Sequence, residues 1–189
     1  MSSSTIGIDV GGTNTDAVRL CGNEVVASVK VPTTPDVGTG LLAALDAVRG
    51  DGSVRRVHVG TTSFTNALVE RRQLEPAAAI RVGAPVSESL PPMTDWPADL
   101  RAKVNNPVFF VRGGREYDGR PIRRLDRSEI ERVGATLADS GVTQAAVTAV
   151  FGTSYPEDEL RVGDWLRGVH PELGVSLSHR IGRFGILER

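Results

Sequence analysis

The sequence predicts an α/β fold in two parts, an opening antiparallel meander followed by helices and strands, and a second region where strands and helices alternate. Three observations carry this. Residues 5–31 hold three short apolar segments separated by Gly11-Gly12 and Gly22-Asn23, and such glycine pairs are hairpin turn signals. Leu41, Leu42, Leu45 and Val48 then recur at helical spacing. From residue 108 onward the order is strand, helix, strand, helix, strand, which favours parallel pairing through crossover helices.

Taken in order, Thr5–Val10 is the first strand, Thr15–Leu20 the second and Glu24–Val31 the third, stopped by Pro32. Asp36 caps a helix that runs to Gly50, its side chain meeting the free amides of the first turn. Arg56–Val59 is a fourth strand, and Gly60-Thr61-Thr62 opens a helix ending near Arg71-Arg72. Ala77–Val82 is a further apolar strand. Five of the 11 prolines then fall between residues 85 and 107, which reads as a linker or irregular excursion. Beyond it come a strand at Val108–Val111, a turn at Tyr117-Asp118-Gly119, and a helix capped by Asp126 with Ile130, Val133 and Leu137 inward. Ala145–Phe151 is a buried strand, Pro156–Val169 a helix with Leu160, Trp165 and Leu166 inward, and Val175–Leu177 a last strand. The predicted divisions are a first subdomain over 1–84, the proline-rich stretch 85–107, a second α/β subdomain over 108–180, and 181–189 as the start of a following segment.

Composition excludes several classes. A 189-residue chain buries about 70% of the surface its unfolded form exposes, enough for a real core. Its 22 basic residues face 23 acidic ones, which argues against a binder that neutralises nucleic-acid phosphates. The single cysteine, Cys21, allows no internal disulfide and fits a reducing compartment. No apolar run approaches the roughly 20 residues of a membrane helix, and Met1-Ser-Ser-Ser-Thr5 lacks the features of a signal peptide. The expectation is a soluble, cytoplasmic protein that binds neither nucleic acid nor membrane.

The segment Ile8-Asp-Val-Gly-Gly-Thr-Asn-Thr-Asp16 carries the chemistry. A strand delivers an acid at its end, two glycines turn the chain, and hydroxyls follow at Thr13 and Thr15. Glycines let backbone approach a phosphate closely, and successive turn amides form an anion nest. A carboxylate at Asp9 makes sense there if Mg²⁺ with its waters lies between it and the phosphates. Neither lysine follows a glycine, so no P-loop is present. The plainer reading is a hairpin turn that Asp9 caps. A second loop shifts the balance: Val59-Gly60-Thr61-Thr62 ends a strand and starts a helix with Asn66 one turn inside, and helix N-termini attract anions. Two such loops are what a clamp on a polyphosphate needs. His58, His170 and His179 lack metal-ligand spacing and read as structural or surface groups; Cys21 has no paired base. The six arginines from Arg112 to Arg127, interleaved with Glu116, Asp118 and Asp126, read as a solvated hairpin and helix start or, as the second option, an interaction surface.

The strand–Asp-x-Gly-x-Thr–strand hairpin resembles the phosphate-binding half of the actin, Hsp70 and sugar-kinase fold. Within that group, Gly7–Asp16, His58-Val-Gly-Thr-Thr62 and Thr65-Asn-Ala-Leu-Val-Glu-Arg71, with Ser178-His179 and Leu187-Glu188-Arg189, resemble the N-terminal domain of the hydantoinase/5-oxoprolinase family (hydantoin-utilisation protein A type). Two positions depart from the family pattern: Asn14 stands where an aromatic is common, and the spacing before Gly60 is longer; residues 85–115 also match poorly. The resemblance implies a ribonuclease H-like α/β fold and ATP-dependent opening of a cyclic amide such as hydantoin or 5-oxoproline, with ATP and Mg as cofactors. It implies Asp9 as the catalytic, metal-holding carboxylate, acting through water. Gly11, Gly12, Thr13, Asn14 and Thr15 would line the phosphates, and Gly60, Thr61 and Thr62 would close the second side. Asp16 is either a metal contact or a hairpin carboxylate. A partner subunit of a hydantoinase-type complex and homo-oligomer formation are further expectations. So is a second domain, absent from these 189 residues, to grip adenosine. Two rivals share the fold: a sugar or metabolite kinase, although its Glu-x-Gly-His motif and cysteine-rich loop are missing, and a non-catalytic ATP-driven chaperone or reactivating factor.

Overall fold

The computed structural model describes residues 3–104, 107–182 and 185. The family-pattern residues Leu187, Glu188 and Arg189 lie outside the described residues. The chain divides into two units, Met1–Gln73 and Leu74–Arg189. No described helix is long and apolar enough to cross a membrane.

In the first unit β1 (Ser4–Val10), β2 (Asn14–Cys21) and β3 (Glu24–Pro32) form the expected antiparallel meander. The chain then passes through α1 (Val37–Arg49) into β4 (Val54–Thr61), which pairs parallel to β1 and gives the order β3-β2-β1-β4. The helix α2 (Ser63–Glu70) follows. Strand alternation puts Ile6, Ile8 and Val10 on one face of β1, where they pack with Ala17, Ala44 and Val48. The inward stripe of α1 is Gly40, Ala44 and Val48, spaced by four. Leu42, one of the four apolar residues at helical spacing, is 59% exposed, because it lies off that stripe.

Asp36 caps α1 as expected. Its carboxylate accepts from the Gly38 and Thr39 amides at 3.2 and 3.3 Å and from the Thr39 hydroxyl. The Thr39 hydroxyl first, then the two amides, hold this carboxyl below the usual carboxylate range. A depressed native pKa means that the cap's contribution is complete above the unfolded value and is lost as pH falls through the lowered one. The gap in melting temperature between wild type and Asp36→Ala at neutral pH should therefore close in strong acid; a gap that persisted at pH 2 would show that the carboxylate form is not what caps the helix.

The second unit holds β5 (Ala77–Ala84), a 3₁₀ turn at Val86–Ser89, α3 (Ala98–Val104), β6 (Val108–Arg112), α4 (Arg127–Asp139), β7 (Gln144–Ala149), α5 (Glu157–Val169), β8 (Gly174–Leu177) and α6 (Ser178–Ile181). Its sheet is parallel throughout, in the order β6-β5-β7-β8. Ala78, Ile80 and Val82 of β5 and Ala145, Val147 and Ala149 of β7 face Ile130, Val133 and Leu137 of α4 and Val162 and Leu166 of α5.

Three expectations change here. The boundary falls after Gln73 and not after residue 84, because β5 pairs with β6 and β7 and belongs to the second sheet. The proline-rich stretch is partly ordered: Pro97 precedes α3, a place where proline fits, and Leu100 and Val104 of α3 are buried. Pro92, Met93 and Trp96 of that stretch line a cavity of about 290 Å³ against Ala77, Ala79 and Ala146. The strand expected to reach Phe151 ends at Ala149, since Phe151 takes a left-handed backbone that breaks the extended path.

Candidate functional site

The first unit brings both predicted loops to one end of its sheet. Register places Asp16 opposite Asp9 on one side and Gly60 opposite it on the other, with Lys30 beside Asp16. Lys30, Asp16, Asp9 and Gly60 thus form one row on the face away from α1. Asp9 is exposed at the end of β1. A Cβ at Gly60 would stand 3.6 Å from Asp9 Oδ1, so the missing side chain leaves room in front of that carboxylate. Asp16 is otherwise engaged, with its two oxygens 2.9 and 3.0 Å from Lys30 Nζ. That pair joins the second and third strands of the meander.

The turn after β1 is fixed from three sides. Gly11 N donates to Asn14 O at 2.9 Å, and Thr33 N donates to Thr13 O at 2.9 Å. The Thr33 hydroxyl donates to Gly11 O at 2.8 Å and lies 3.1 Å from Thr15 Oγ1. Thr15 is 1% exposed, on the core face with Val10, so it supports the turn from below and does not present its hydroxyl to a ligand. Gly12 and Thr13 are exposed, Asn14 half-buried, and the amides of Gly12 and Thr13 donate to no acceptor among the described residues.

The second loop differs from its expectation in one respect. Gly60 and Thr61 belong to β4, and only Thr62 stands at the N-cap of α2. Thr62 N donates to Val10 O at 3.2 Å, and Thr61 Oγ1 to the same carbonyl at 3.3 Å, which ties this loop to the end of β1. Thr61 Oγ1 also accepts from Ser63 N at 3.1 Å. The Asn66 side chain donates to Thr62 Oγ1 at 3.3 Å and closes over Gly12. Ser63, Asn66 and Thr33, which the motif reading did not assign to the site, join Gly11 and Gly12 in lining a cavity of about 320 Å³. The signal for Asn66 was its place four residues after Thr62; Thr33 carried none, because its contact comes from the third strand.

Gly12 does not have a left-handed backbone. Close approach is what requires it: a Cβ there would stand 2.7 Å from Asn66 Nδ2. Gly12→Val should push Asn66 aside and weaken nucleotide binding at least tenfold, while costing about 1 kcal/mol of stability. A variant that melts early yet keeps its nucleotide affinity would assign the glycine to the fold alone.

No group of three or more His, Cys, Asp or Glu side chains able to hold a metal occurs among the described residues. A cation at Asp9 would therefore take one protein carboxylate and several waters, which suits Mg²⁺. His170 Nε2 lies 3.1 Å from Val142 O, and His179 Nδ1 lies 2.7 Å from Glu159 Oε2; both histidines serve the second unit's structure.

No curated protein matches the sequence. Among solved structures, the nucleotide-free acetone carboxylase from work on ATP-dependent acetone carboxylation aligns over 93% of this chain with a TM-score of 0.69 at 19% identity. This chain spans 29% of the length of that one. A ROK hexokinase from Thermus thermophilus aligns over 92% of both chains with a TM-score of only 0.28 at 13% identity. The fold is the actin and sugar-kinase-like α/β fold that the opening hairpin predicts. The model of the hydantoinase/oxoprolinase N-terminal region matches residues 5–170, a span that holds both loops, and the chain belongs to that family.

Proposed function

We propose that this chain is the phosphate-binding part of an ATP-dependent hydrolase that opens a cyclic amide such as hydantoin or 5-oxoproline. The observation that supports it best is the joining of two loops at one sheet end, with the free amides of Gly12 and Thr13 beside the start of α2 and Asp9 in the open space next to Gly60. Turn amides and a helix start favour anions. Gly11, Gly12, Thr13 and Asn14 would line the phosphates, Thr61 and Thr62 would brace the second side, and Asp9 would hold Mg²⁺ through water. The ion would supply neutralisation of phosphate charge. A lactam resists water, and transfer of phosphate to its amide oxygen makes the ring carbon a good electrophile; such transfer depends on positioning and charge stabilisation.

The adenosine-binding half of the clamp and any partner subunit belong to this proposal too. The 189 residues alone are expected to bind Mg-ATP weakly and to open no ring, since misplacing reacting groups by an ångström costs about a hundredfold. Hydantoin-dependent ATP hydrolysis by this chain alone would overturn that. For the protein with both halves, ATP consumption should rise with hydantoin or 5-oxoproline and stay at background with hexoses. Stimulation by hexose would move the assignment to a kinase, and turnover indifferent to both would move it to a chaperone or reactivating factor.

A further inference from the structure

The arginine-rich segment, which the phosphate loops leave unused, separates into two groups in the second unit. Arg112 pairs with Asp126 and Glu129, Arg120 with Asp118, and Arg127 with Glu131. Arg115, Arg123 and Arg124 instead meet Arg161 of α5 around a cavity of about 290 Å³ that Asp158 and Trp165 also line. Asp158 is the one acid among these residues, and it is already committed: it accepts from Gly114 N at 3.0 Å and lies 3.4 Å from Arg115 Nη2. Arg123, Arg124 and Arg161 make no ion pair among the described residues. Arg115 Nε is buried with no acceptor.

Four guanidiniums against one carboxylate leave a local positive excess in a chain whose net charge is −1. Like charges gathered in one cavity repel; Asp158 answers Arg115, while Arg123, Arg124 and Arg161 have no carboxylate partner among the described residues. We infer that this cavity binds a small phosphate-bearing anion. A phosphate group brings close to two negative charges and three strong acceptor oxygens, and the guanidinium fork matches them in pairs. A single carboxylate would leave most of the excess standing. The cavity is open to solvent on the side of the exposed Arg123, Arg124 and Arg161, its volume suits a small molecule, and Trp165 offers an apolar wall for its body. This site does not depend on the reading of Asp9 and the glycine turn.

Calorimetric titration with pyrophosphate tests it, without Mg²⁺ and on the Gly12→Val form of the 189-residue chain, so that the first unit's loops contribute little. Acetate serves as the single-charge control. Pyrophosphate should bind and acetate should not. Arg124→Gln and Arg161→Gln should each weaken pyrophosphate about tenfold, with unchanged melting temperature because both side chains are exposed. Arg120→Gln and Arg127→Gln, equal in charge change but outside the cavity, should leave affinity within about twofold. Absence of binding, indifference to the cavity variants, or equal weakening by the outside pair, which would mean diffuse surface attraction, would each overturn the assignment.

Discussion

Glu159→Ala should destabilise the second unit by about 3–5 kcal/mol, more than any other single change proposed for this protein. Glu159 is fully buried on α5. One oxygen accepts from Ala149 N at 2.9 Å and Ser178 Oγ at 2.6 Å, and the other faces His179 N at 3.1 Å and His179 Nδ1 at 2.7 Å. The carboxylate thus joins the end of β7 to the start of α6 through α5. Its loss strands several buried donors at once, each costing about 1–3 kcal/mol if no water replaces the acceptor. Glu159→Gln keeps the volume but turns an amide NH₂ toward donors, so roughly half the loss is expected. Gly152→Ala should harm the same junction from the other side, since a Cβ there would overlap Glu159 Oε1 and stand 3.1 Å from Ala149 O. Urea unfolding of the three variants measures this. A Glu159→Ala protein within 1 kcal/mol of wild type would mean that the network adds little beyond filling space.

Asp9→Ala should lower ATP turnover at least a hundredfold in the protein that carries both halves of the clamp, with stability changed by less than about 0.5 kcal/mol. The two effects separate because Asp9 is exposed and makes no hydrogen bond or ion pair among the described residues that the fold needs. Its neighbours show the contrast. Asp16 is held by Lys30, and Asp16→Ala should cost turnover far less, by a few-fold, through a loosened hairpin. Calorimetry with Mg-ATP alongside steady-state kinetics gives both readouts. Equal affinity and turnover in Asp9→Ala would reduce the glycine hairpin to a structural turn and withdraw the proposed function with it.

Much of this fold was legible in the chain because local rules and global packing agree in it. The meander follows from three strands with turns at Gly11-Gly12 and Gly22-Asn23. Asp36 and Asp126 cap their helices by the geometry their residue type suggests. The parallel second sheet follows from the alternation of strands and helices. The family was legible as well, because its motif is continuous: a carboxylate, two glycines and a threonine within five positions require no knowledge of distant contacts.

What the chain did not show is where residues distant in sequence meet. Nothing local says that β5 leaves the first unit, since a strand of alanines, isoleucine and valine is apolar enough for either sheet, and only its hydrogen-bonded neighbours β6 and β7 decide. Pairing register decided the fates of the two acids: both end up on one face, but the third strand supplies Lys30 to Asp16 and the fourth supplies a glycine to Asp9. Alternation turned Thr15 into the core while leaving Thr13 outside. The arginine run divided in the same way, three members finding acids nearby and three meeting Arg161 from a helix some forty residues on. Sequence by itself determined most of the elements and the family, because these rest on short-range periodicity, turn chemistry and contiguous motifs. Tertiary structure alone decided which charges are neutralised and which stay open to a ligand, because a side chain's partners are set by strand register and helix packing across long separations.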